Sequence, residues 1–166
     1  MSDFLSNFEK ANKNAKRLSN KILIDGKLIS PSTDSKIKVI NPSTGEGIGD
    51  APKCNKVDVD HAVKSSLNAF KEWKKIPARE RGRLVEQGAR KLEERRGEIE
   101  TLLALDTGNA LRTQAKPETA ASIELTRMFA GLSGEIKGEN YPPNIPNTLH
   151  FTTRDPIGVV CAIVPW

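Results

Sequence analysis

Arg154-Asp155-Pro156-Ile157-Gly158-Val159-Val160-Cys161-Ala162-Ile163-Val164-Pro165-Trp166 closes the sequence. Val159 to Val164 is its most apolar run and shows no polar/apolar alternation. Both faces of such a run need burial, as in a central strand of a parallel sheet. Pro165 lacks the N–H that a ladder requires and ends the strand. In a doubly wound sheet, ligands bind just beyond the carboxyl end of a strand like this one. The sequence stops at that point. A buried strand with nothing after it cannot close a sheet. The expectation is therefore an α/β fold with an incomplete sheet, the front portion of a longer protein.

Working back from that ribbon, 166 residues suit one domain, or one domain with an arm. Hydrophobic residues make up 37% and charged residues 28%, on the polar side for a self-sufficient globule. The net charge of +5 comes from lysines and arginines interleaved with acids. That pattern predicts a solvated helical surface and no nucleic-acid partner. Cys54 and Cys161 lie far apart and form neither a disulfide framework nor a CxxC pair, so a reducing, cytoplasmic setting is expected. No apolar run approaches a membrane span, and the N-terminus lacks the apolar centre of a secretory signal. Asp3 and Glu9 argue against a transit peptide.

Residues 3–18 place Phe4, Leu5, Phe8, Ala11, Ala15 and Leu18 near one helical face, predicting a docking or frayed N-terminal helix. A strand-rich section follows. Lys21 to Lys27 reads as a strand into a turn at Asp25-Gly26, and Lys36 to Ile40 alternates as a half-buried strand. Asn41 to Glu46 is a turn cluster, with Gly47 to Ala51 as the returning strand. Gly45, Gly47 and Gly49 do not make a phosphate loop, because Asp50-Ala51-Pro52 stands where a helix would have to begin.

The middle of the chain reads as helical. Asn55 and Asp58 have capping-box spacing ahead of a stripe of Val59, Ala62, Val63, Leu67, Phe70 and Trp73. Phe70 and Trp73 are expected to be packing anchors. A second stripe runs through Leu84, Val85, Gly88, Ala89 and Leu92, with arginines and glutamates at pairing distance around it. A third helix, with Ile99, Leu102, Leu103 and Leu105, stops at Gly108. A fourth, with Pro117 in its first turn, is expected to bury Ala121, Leu125, Met128, Phe129 and Leu132. Three prolines between Pro142 and Pro146 make residues 135–147 an extended connector. Residues 148–154 alternate as a strand without an evident local partner, which predicts pairing with a missing segment or another subunit.

Candidates for chemistry are few. His61 sits at a helix start beside Asp58 and Asp60, and His150 faces outward from a strand, so no metal site is expected. Cys161 lies inside the apolar run and is expected to be core, with no base near it in sequence. There is no Gly-x-Ser-x-Gly elbow and no Walker loop.

Taken in order, these motifs resemble the N-terminal part of the NAD(P)-dependent aldehyde dehydrogenase superfamily, over residues 21–166. Ile24-Asp25-Gly26-Lys27 looks like its opening motif, and Asn41-Pro42-Ser43-Thr44-Gly45-Glu46 with Ile48-Gly49 like its Asn-Pro-x-Thr-Gly-Glu turn. Val57-Asp58, Ala62-Val63, Ala69-Phe70 and Trp73 resemble its first long helix. Arg79, Arg81, Leu84, Ala89-Arg90-Lys91-Leu92 and Leu105-Asp106-Thr107-Gly108 follow the next two, with Asp106 where Glu is more usual. Arg154 to Val159 and Ile163 to Trp166 complete the pattern.

The resemblance implies a Rossmann-like nucleotide-binding domain and oxidation of an aldehyde through a cysteine thiohemiacetal, with hydride transfer to NAD or NADP. It implies that Ile163, Val164, Pro165 and Trp166 line the cofactor's adenosine and pyrophosphate side. The family's Cys nucleophile, Glu base and oxyanion Asn have no counterparts here, and Cys161 does not match that nucleophile. It also implies that residues 135–154 belong to an oligomerisation arm. The expected division is an N-terminal helical extension (1–20), the first part of the nucleotide-binding domain (21–134), an arm segment (135–156) and the first central strand (157–166). The chain is expected to be inactive alone. The alternative is a non-catalytic relative that associates with full-length subunits through the 148–154 strand.

Overall fold

The structure, a computed structural model, describes residues 2–164. Three antiparallel hairpins and five helices follow one another, and each hairpin is its own two-stranded sheet. β1 (Ile22–Ile24) and β2 (Lys27–Ile29) are joined by Asp25-Gly26, both with positive φ (53° and 70°). Two left-handed residues give the turn whose twist matches that of the strands, and Asp-Gly is the pair that adopts it most readily. β3 (Lys36–Ile40) pairs with β4 (Gly47–Pro52), with a bulge at Val39/Ile40. Their loop is tied by Asn41, whose carbonyl accepts from the Gly45 N–H (2.8 Å) and whose side chain accepts from the Ser43 N–H (2.9 Å).

α1 (Ser2–Leu18) lies against α4 (Arg96–Thr107) and touches β4. Ala11 is fully buried in that contact, and the Asn14 amide donates to Glu98 Oε1 at 2.7 Å. At its end the Asn20 N–H donates to the Asp50 carbonyl (2.7 Å), and the Asp50 N–H donates to Ser19 Oγ (2.9 Å). The end of the helix is thus fastened to the second hairpin by one main-chain bond and one main-chain-to-hydroxyl bond. α4 stops where the sequence places a stop: Gly108 is left-handed (φ 74°) and donates to the Ala104 carbonyl at 3.0 Å.

α2 (Lys56–Trp73) starts with the expected reciprocal cap. Asn55 Oδ1 accepts from the N–H groups of Val57 (2.9 Å) and Asp58 (3.2 Å), and Asp58 Oδ2 accepts from the Asn55 N–H (3.2 Å). Asp58 Oδ1 also accepts from the Ser32 N–H at 2.8 Å, tying the helix to the loop after β2. That Ser32 bond, seconded by the Asn55 N–H and opposed by partial burial, holds the Asp58 carboxyl below the usual carboxylate range. A depressed folded value means stability that is complete above the unfolded value, ~3.9, and is lost as pH falls through the lower folded one. Replacing Asn55 by Ala should cost about 1 kcal/mol. Asp58→Asn should destabilise at neutral pH and lose its difference from the parent in acid. Urea melts across the acid range test this; a difference independent of pH would refute it.

α3 (Ala78–Glu94) and α5 (Lys116–Gly131) form the tightest helix pair, with Gly82 and Ala89 facing Ile123 and Ala130. A π-helical turn, Leu111–Ala115, feeds α5, and a 3-10 turn, Leu132–Gly134, ends it. Pro117 does sit in the first turn of α5. The buried face is not the expected one, however. Thr119, Ile123 and Ala130 are inside, while Ala121, Leu125, Met128, Phe129 and Leu132 are exposed. Small residues let the two backbones approach, and the large ones are left on an uncovered side. The stripe of α2 is likewise only partly covered: Val59, Val63, Leu67 and Trp73 are exposed, while Ala62 and Phe70 are half-buried.

Two further expectations are corrected. The 148–154 strand is a two-residue β6 (His150–Phe151), and it does find a local partner, β5 (Asn140–Tyr141). The 13-residue bond from the Glu139 N–H to Thr152 Oγ1 (2.9 Å) extends that pairing. The run from Val159 to Val164 is not a strand: it has no ladder partner among the described residues, and Val160 is 73% exposed. An apolar sequence supplies the demand for burial but not the neighbouring strands and covering layer that would satisfy it.

Candidate functional site

Of the four residues assigned to a cofactor, Ile163 and Val164 lie on this open ribbon, 91% and 72% exposed. Pro165 and Trp166 lie outside the described residues. The described residues do not assemble a phosphate cradle around them. The Asn55 side chain occupies N–H groups at the start of α2, and α3 opens behind Pro77 without a glycine-rich strand-to-helix turn.

The remaining sequence candidates are dispersed. Cys54 is exposed just ahead of the α2 cap. Cys161, expected in a core, is exposed because its ribbon is uncovered. His61 is exposed beside Asp58, and His150 is exposed on β6, with Thr148 Oγ1 3.5 Å from its Nε2. Among the described residues no group of three His, Cys, Asp or Glu could hold a metal ion, and no helix is long and apolar enough to cross a membrane. The helical charges do pair at the expected spacing, for example Arg83–Glu80 (3.0 Å), Arg90–Glu86 (3.3 Å) and Arg96–Glu100 (2.7 Å).

An apolar concavity of about 420 Å³ is bounded by the end of α1, the β3–β4 hairpin and α4. Val39, Ile48, Ile99 and Leu103 form its walls, and Asp50 and Asp106 are its acids. The Asp50 carboxylate pairs with Lys36 at 2.8 Å, which raises the affinity of that ammonium for its proton. Ser19 is its one hydroxyl, and Ser19 Oγ accepts from the Asp50 N–H at 2.9 Å, so this is an apolar recess with no histidine or cysteine on its walls. A smaller cavity, about 250 Å³, lies between the end of α2 and the arm segment, and Phe70 and Trp73 line it. Helical periodicity predicts these two aromatics as packing anchors. The joining of α2 to residues around 154 is a long-range event that no local signal announces.

A family model described as the aldehyde dehydrogenase family matches residues 29–166. The human cytosolic 10-formyltetrahydrofolate dehydrogenase is 34% identical over 160 residues, covering 93% of this chain and 18% of that protein. An aldehyde dehydrogenase of Saccharomyces cerevisiae, named for NAD(P)+, is 38% identical over 139 residues, covering 82% of this chain and 27% of that protein. The solved structure of betaine aldehyde dehydrogenase from Staphylococcus aureus, in complex with NAD+, superposes with a TM-score of 0.77 at 28% identity, covering 86% of this chain and 29% of the other. The chain thus spans less than a third of the length of these relatives.

Proposed function

The chain belongs to the aldehyde dehydrogenase family, and we propose that it supplies the leading part of an enzyme that oxidises an aldehyde to a carboxylic acid while reducing NAD or NADP. One observation carries this reading. The family match runs through the apolar ribbon to residue 166, and that ribbon is exposed along Val159, Val160, Ile163 and Val164. Strands supplied by further sequence would bury it. Ile163, Val164, Pro165 and Trp166 are then placed to line the nucleotide, beyond the end of the first central strand (157–166).

In this reading residues 1–20 are an added helix, 21–134 open the nucleotide-binding domain, and 135–156 form an arm through which subunits associate in a cytoplasmic homo-oligomer. The 166 residues alone do not turn over aldehyde. Reading the coding sequence beyond codon 166 tests the proposal. An in-frame Asn-Phe-Pro-like continuation supports it. A stop codon there, with a full-length family member co-purifying in stoichiometric amount, would favour a non-catalytic relative that docks through its arm. The exposed Leu149 and Phe151 around β6 make that second reading physically accessible.

A further inference from the structure

Pro77 breaks the chain between α2 and α3, and the break sets two cations beside one small cavity, which a third reaches from elsewhere in the chain. Lys74, the residue that caps α2, holds its ammonium 5.7 Å from the Phe70 ring centre. Arg81, half-buried in the first turns of α3, donates from Nη1 to the Ile76 carbonyl at 2.5 Å. That bond pins the guanidinium across the turn, and among the described residues its other N–H donors make no hydrogen bond. Arg154 reaches the same cavity from the far end of the arm segment. None of the three forms an ion pair among the described residues, whereas the arginines further along α3 are paired with glutamates. Asp155 is the one carboxylate on the wall, and it accepts from Thr153 Oγ1 at 3.4 Å. Phe70 and Trp73 supply flat apolar surface beside the charges.

We propose that this cavity binds a small organic carboxylate with a flat apolar body, an aryl carboxylate being the type that fits. A planar guanidinium recognises a carboxylate by parallel N–H bonds, and an ammonium adds a second charge-assisted donor. The aromatic pair takes the ring, and a volume of about 250 Å³ admits one ring with its substituent. The residues concerned are other than Ile163–Trp166, and the binding does not depend on the activity proposed above.

Benzoate is the probe. In a Trp166→Phe background the indole N–H of Trp73 is a single reporter in a two-dimensional NMR spectrum. It should shift saturably with benzoate, with half-saturation on the order of 1 mM. Benzyl alcohol, lacking the charge, and inorganic phosphate, lacking the ring, should each bind at least about tenfold more weakly. Arg154→Gln and Lys74→Gln, both at exposed positions, should each weaken benzoate by about tenfold without altering the helical circular dichroism. Arg81→Gln is the less secure variant, because it also removes the bond to Ile76. A non-saturating response, equal binding of benzyl alcohol or phosphate, or unchanged affinity in both exposed-site variants would overturn the proposal.

Discussion

Purified and mixed with NAD+ or NADP+ and a panel of aliphatic and aromatic aldehydes, the 166-residue chain is expected to form no reduced nicotinamide above the blank. Covalent aldehyde oxidation needs a thiolate beside a base, with donors aimed at the developing oxyanion. The sequence holds two cysteines, Cys54 and Cys161, and both are exposed. Neither sulfur takes part in a hydrogen bond among the described residues. Groups that act as a unit are lost as a unit, and removing a nucleophile and its partners costs on the order of a millionfold in turnover. The reading is an initial-rate assay against a full-length family member at equal molarity. Turnover that disappears in Cys161→Ala or Cys54→Ala would show that the chain carries its own nucleophile and would sink the inactive-fragment proposal.

Gly82→Ala is expected to be the most damaging small change in the helical section. A Cβ on Gly82 would lie 2.5 Å from the Ala130 carbonyl oxygen and run into the Ser133 side chain. Backbone cannot swing aside as a lysine tip can, so α3 and α5 must separate. Overpacking of this kind costs about 1–3 kcal/mol, occasionally more. The loss falls on the contact that holds Ala89, Ile123 and Ala130, half of the six buried apolar residues of the described chain. Gly88→Ala is the internal control, in the same helix with nothing within 4 Å of its added Cβ. That variant gains helix propensity and should be stabilised by roughly 0.5–1 kcal/mol. Urea melts followed by circular dichroism separate the two. Coincident midpoints for Gly82→Ala and Gly88→Ala would mean that the helix contact is not where the stability resides.

Much of this architecture is written in local signals, and those were legible. The Asp25-Gly26 turn, the Asn55/Asp58 cap, the Gly108 stop and Pro117 at a helix start each depend on a few adjacent residues. What could not be read is which face of an element meets another. On α5 a stripe containing Leu125, Met128 and Phe129 looked like a core face, yet close approach to Gly82 selects Thr119, Ile123 and Ala130 instead. Apolar size measures the gain from burial, whereas backbone proximity decides what is buried. The same distinction explains the ribbon at 159–164, whose composition announced a strand that has no partner to bond. The brief pairing of His150–Phe151 with Asn140–Tyr141 was hidden by the intervening prolines. The Lys74, Arg81 and Arg154 cluster was equally hidden, since its members come from two helix ends and a distant loop.

The three hairpins share no ladder, and this governs how the chain breathes. With no strand common to two sheets, opening one does not oblige another to open. Backbone amides should therefore exchange with deuterium in separate groups. Those of β5–β6 should go first, having only two residue pairs to protect them. Those of β3–β4 should go later, because Asn20 and Ser19 stitch Asp50 to α1. The slowest amides should sit around Ala89 and Ile123, whose release requires the helix pair itself to come apart.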